Sequence, residues 1–110
     1  MPTGGVAPLG TSFEVIIPMT DTLVLTDGNI NLVVGTSGLS GGKNLTLPTV
    51  QEMVASQNYE LQVSNKSSSG GTITLVAASG DSIGAGPSTV PVSRGVVCRH
   101  DGIHTWFTVG

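Results

Sequence analysis

The sequence predicts an all-β fold: a small β-sandwich or barrel-like domain with one short helix and an extended N-terminal arm. Three observations predict it. Sixteen glycines and many Ser and Thr residues accompany few helix formers, a balance that favours short strands and frequent turns. Residues 59–63, YELQV, alternate apolar and polar with period two, the pattern of a half-buried strand. Asp-Gly or Gly-Asp pairs punctuate the apolar runs at 27–28, 80–81 and 101–102, where tight turns are expected.

A chain of 110 residues fits one domain with one modest core. The boundaries expected are an arm over residues 1–12 and a single β domain over 13–110. Charged residues make up 10% of the chain, against about 25% in ordinary soluble domains. With a mean hydropathy of +0.27, so little charge implies a surface largely covered by neighbours, because an isolated small domain relies on charge to stay unassociated. The net charge is −3, and the four basic residues, Lys43, Lys66, Arg94 and Arg99, are scattered. A sequence-independent grip on nucleic acid needs several phosphates neutralised together, so nucleic acid is not an expected partner.

Cys98 is the only cysteine, so no disulfide can form within the chain, and among strand residues it reads as a small buried hydrophobe. No window approaches the roughly eighteen apolar residues of a membrane span, and no basic region precedes an apolar core as in a signal peptide. Two sequons, at Asn44 and Asn65, matter only in a eukaryotic secretory pathway, which nothing in the chain supports.

The first twelve residues, MPTGGVAPLGTS, carry two prolines and three glycines without any period, as expected of an arm. Residues 13–17 (FEVII) form a first strand stopped by Pro18. Residues 22–25 (TLVL) follow, and Asp27-Gly28 turns the chain tightly into 29–34 (NINLVV). A flexible loop is expected over 35–42. Residues 44–47 (NLTL) make a short strand ending at Pro48, and 49–56 are the one helical candidate. There Thr49 serves as cap, Glu52 takes the capping-box position, and Val50, Met53 and Val54 form an apolar stripe. The strand at 59–63 runs into a polar hairpin tip at 64–71, and Ile73, Leu75 and Ala77 share one face of the returning strand. Residues 84–88 connect onward to 89–92, which Pro91 confines to an edge or an irregular strand.

The last hairpin turns at Asp101-Gly102. A loop of two residues opposes Cys98 to Thr105, and a loop of four opposes it to Phe107. Either choice places Val96, Cys98, Phe107 and Val109 on the core face and Val97, Arg99, Trp106 and Thr108 on the other, because a slip of two preserves side. An outward tryptophan implies a second covering layer or another subunit.

No constellation for catalysis emerges. The run GLSGGK at 38–43 lacks a phosphate-binding loop at two positions: Ser37 stands where the first glycine is required, and Asn44 where Ser or Thr follows the lysine. Gly80, Gly84 and Gly86 do not match the dinucleotide fingerprint. His100, Asp101 and His104 flank one turn, but three ligands at a loop tip read as solvated loop residues rather than a metal site. Asp27, Asp81 and Asp101 adjoin turns, where a short carboxylate bonds nearby backbone N–H groups. The chain reads as no enzyme, with no cofactor and no metal.

The order of LTLP (45–48), a short helix, YELQVSN (59–65), GGTITL (70–75), GDSI (80–83) and DGIHTWF (101–107) resembles a recurrent β module of tailed-bacteriophage virion proteins. That module occurs in capsid decoration (cement) proteins and in tail-fibre or spike segments. The resemblance covers about residues 45–110, and the terminal turn is a residue longer before Trp106 than in the family pattern. It implies a homotrimer of β-sandwich or barrel-like subunits on a virus particle, with no catalytic residues. Met1 opens the chain and its last strand ends at Gly110, so a free-standing capsid decoration protein is expected ahead of a tail-fibre, spike or baseplate component, with a carbohydrate-binding β module behind both. The expected partners are the major capsid protein of the same virion and further copies of the chain, with no membrane involved. The expected location is the capsid exterior, after assembly in the bacterial host cytoplasm. Val6, Pro8, Leu9 and Trp106 are the contact candidates.

Overall fold

The computed structural model describes residues 14–17, 23–35, 43–66 and 71–110, the first segment by its backbone alone. Two sheets pack around one core, with one short helix, as the composition predicts. The strands are β1 (Glu14–Ile17), β2 (Leu23–Val24), β3 (Leu32–Gly35), β4 (Lys43–Thr46), β5 (Glu60–Asn65), β6 (Ile73–Val76), β7 (Ser82–Ala85), β8 (Thr89–Val90), β9 (Gly95–His100) and β10 (Thr105–Val109). The helix α1 (Val50–Ala55) lies between β4 and β5.

The larger sheet has the order β1-β3-β5-β9-β10-β7 and the smaller β2-β4-β6-β8. From β1 to β8 every successive strand changes sheet. The pairs β1–β3, β3–β5, β2–β4 and β4–β6 are all parallel, so the first six strands wind as stacked two-strand coils. The hairpin expected at 64–71 is therefore absent, and the tight turn at Asp27-Gly28 is a crossover. The turn after Asp27 carries the chain from β2 in one sheet to β3 in the other, and β5 and β6 likewise lie in different sheets. Period-two alternation fixes which side chains face inward and says nothing about which strand lies alongside. The antiparallel strands β9, on β5, and β8, on β6, end the winding. Pro91 follows β8 directly, at the edge of the smaller sheet, as expected of a proline that cannot donate to a ladder.

Side-chain alternation builds the core. In β5, Leu61 and Val63 turn inward while Gln62 is exposed, and in β6 Ile73 and Leu75 turn inward while Val76 is exposed. Val33 stands beside Val63, and Leu45 beside Leu75, in adjacent coils. These residues join Leu47, Val50, Met53, Val90, Val96, Cys98 and Trp106 in one buried cluster.

The strands β3, β5, β7 and β10 start, and β9 finishes, at the same end of the larger sheet. This end is closed by α1. Thr49 caps the helix, its Oγ1 accepting from the Glu52 N–H at 3.1 Å, and Asp81 accepts the Val50 N–H at 2.9 Å. Asp81 was expected to serve its own turn and instead reaches the helix. The C-terminus closes with Gln57 N–H donating to Val54 O and Asn58 N–H to Met53 O, a Schellman arrangement. It holds Gln57 at φ 54°, a left-handed conformation usually occupied by glycine. Asn58 then donates through Nδ2 to Gly28 O at 3.0 Å and Ile30 O at 2.9 Å, fastening the turn before β3.

Gly28 sits against the helix so closely that a Cβ there would lie 2.1 Å from Glu52 O. The position excludes any side chain because backbone, not a movable side chain, fills the space. Gly28→Ala is expected to cost about 1–3 kcal/mol as the helix is pushed away. Urea unfolding would show this as a lowered midpoint with an unchanged slope.

Candidate functional site

The terminal hairpin determines which residues the larger sheet shows to solvent. Trp106 stands opposite His100, Phe107 opposite Arg99, Thr108 opposite Cys98 and Val109 opposite Val97. Residues 101–105 form the connection. This register differs by one residue from the four-residue alternative, and a one-residue change reverses both faces of β10. Val96 and Cys98 point inward as expected, but their inward companions are Trp106 and Thr108, while Phe107 and Val109 point outward. Trp106 is 0% exposed. Its ring belongs to the core, so its place as an intersubunit contact is withdrawn. Val6, Pro8 and Leu9 lie outside the described residues.

Asp101 organises this longer connection. Its Oδ1 accepts from the N–H groups of Ile103 at 2.8 Å, His104 at 2.9 Å and Thr105 at 3.0 Å, and its own N–H donates to Thr105 O at 3.0 Å. A carboxylate holding three consecutive amides needs the chain to curl around it, and the five residues between the paired His100 and Trp106 supply that curl. The bonds from Thr105 and Ile103, ahead of that from His104, hold the carboxyl below its ordinary range. Asp27 shows the simpler form, accepting from the Asn29 N–H at 2.9 Å.

His100 is committed to the scaffold. Nδ1 accepts from the Gly102 N–H at 3.0 Å, and Nε2 lies 2.8 Å from Asn58 O, so the neutral tautomer protonated at Nε2 satisfies both contacts. Its ring lies 5.4 Å from Tyr59 and 5.3 Å, edge-on, from Trp106. The column runs from half-exposed Tyr59 to the interior. His104 Nδ1 lies 3.0 Å from Thr105 Oγ1. The three candidate ligands at this turn are thus engaged in local bonds, and no cluster of metal-ligating side chains occurs among the described residues. The Cys98 thiol is buried, and burial pushes it up to about 12, far from nucleophilic character at neutral pH. Of the GLSGGK run only Lys43 is described, as the first residue of β4.

What remains is a surface. On the outer side of the larger sheet, Leu32, Gln62, Val97 and Val109 form one row across four strands. The next row is Glu60, Arg99, Phe107 and Ala85. Phe107 is 43% exposed and Val109 65%. Beside them Arg99 Nε pairs with Glu60 Oε1 at 3.0 Å, an exposed contact contributing at most about 1 kcal/mol. Ile103 and Tyr59 are exposed at the helix-covered end, where Gln51 Nε2 donates to Ile103 O at 3.0 Å.

Sequence reasoning also missed Asn65, which it placed in the polar tip. Asn65 is 0% exposed, and its Nδ2 donates to Gly71 O and Val90 O, both at 2.8 Å. The signal was present in the parity: Asn65 continues the inward positions of Leu61 and Val63 along β5.

Paired substitutions separate the two faces of β10. Trp106→Ala is expected to cost about 3–5 kcal/mol, while Phe107→Ser costs no more than about 1 kcal/mol; chemical denaturation measures both, and similar losses would reverse the register. Asp101 generates a pH dependence. Its folded value is depressed, so the unfolded chain binds more protons on acidification and the contribution is complete above about pH 4, near the usual value for aspartate. It is lost as the pH falls through the folded value. Protection of the Ile103, His104 and Thr105 amides, taken against their intrinsic exchange rate at each pH, is expected to fall over that acidic window and to be absent at every pH in Asp101→Ala.

No family model matches the chain, and neither a curated protein nor a solved structure does.

Proposed function

We propose that this chain is a capsid decoration protein of a tailed bacteriophage, a homotrimer that binds the outside of the head and stabilises the shell. The observation that carries the proposal is a charge-poor domain that leaves Phe107 and Val109 exposed beside partly buried Leu32 and Val97 on one open sheet face. Such a face gains by association, because apolar area leaves water and few charges must be desolvated. The motif order from LTLP to DGIHTWF adds the virion context. Commitment of His100, Asp101 and Cys98 to structure supports a structural rather than a catalytic role. A decoration protein acts by mass action: it binds the assembled shell better than free subunits and so shifts the balance toward the shell. Its partners on this reading are the major capsid protein and two further copies, and its location is the capsid exterior, reached in the bacterial host cytoplasm.

The parallel winding of β1 to β6 favours a second reading, a tail-fibre or spike segment, since stacked coils are a way to build an elongated shaft. Gold-labelled antibody on whole virions separates the two, by labelling heads or tails.

The trimer is tested by light scattering after size exclusion, with about three times 11.1 kDa expected. Phe107→Ser combined with Val109→Ser is expected to shift that mass toward the monomer. The arm over residues 1–12 is proposed as the shell contact, since an extended Pro/Gly segment can add to an exposed edge through backbone hydrogen bonds. Deleting residues 2–10 should leave the trimer intact and abolish binding to undecorated heads. Unchanged occupancy would move the contact to the loops at 35–43 or 64–71, and a monomeric wild-type chain would remove the trimer.

A further inference from the structure

We draw no further inference here: the strongest candidate, the apolar stripe of Leu32, Val97, Phe107 and Val109 on the outer face of the larger sheet, carries nothing beyond the association already proposed, because nothing in the structure shows what covers it.

Discussion

Two parallel strands cannot be joined by a tight turn, because the chain must first return to the end from which it started. Between β1 and β6 this chain returns through a strand of the opposite sheet. Each crossover is therefore itself a core element, and the two sheets are bound to each other by covalent connections as well as by packing. The register from β3 to β5 and from β4 to β6 steps by the same thirty residues, Leu32 to Gln62 and Lys43 to Ile73. Equal steps in both sheets keep like beside like, so Val33 meets Val63 and Leu45 meets Leu75. Helix α1 falls inside that step without disturbing it, because it is accommodated at the end of the sandwich.

A winding of this kind must be stopped, and its ends carry the polar groups that strands leave unpaired. Where β5 ends, buried Asn65 performs that task with its side chain and backbone together. Its amide joins β5 to Gly71, two residues before β6, and to β8, while its N–H donates to Arg94 O and its carbonyl accepts from Ser93. One residue thus ties the two sheets to the antiparallel strands that close them. Replacing such a residue leaves acceptors buried without partners, at about 1–3 kcal/mol each. At the other end Asn58, Asp81 and Asp101 divide the work among the helix, the turn before β3 and the last loop. Trp106 lies inside this closure with an indole N–H that finds no acceptor among the described residues, a cost that the packing of its large ring offsets.

Strand existence was legible because period-two alternation survives in every well-packed strand: residues 59–63 announce β5, and Thr49 with Glu52 announces α1. Pairing was not legible. A hairpin and a crossover impose the same alternation on each strand, and Asp27-Gly28 is compatible with both. Gly28 itself is required by the helix rather than by a hairpin turn, a contact twenty-four residues away in sequence at Glu52 that no local pattern records. The face of β10 was lost for a different reason. Faces survive a two-residue ambiguity in loop length but not a one-residue ambiguity, and the connection gathered around Asp101 is one residue longer than the four-residue alternative. The loop lengths weighed from the residues, two and four, both missed the odd count that decides side.

That reversal changes what kind of contact the outer face can make. A protruding tryptophan acts as an anchor, concentrating binding free energy in a single well-filled pocket. With Trp106 in the core, the outer face instead offers a low stripe spread over β3, β9 and β10, its largest member only 43% exposed. A flat stripe without an anchor supports modest affinity per contact and depends on shape match over several strands. Contacts of that strength become decisive only when many act together on one rigid assembly, where each bound neighbour raises the effective concentration of the next.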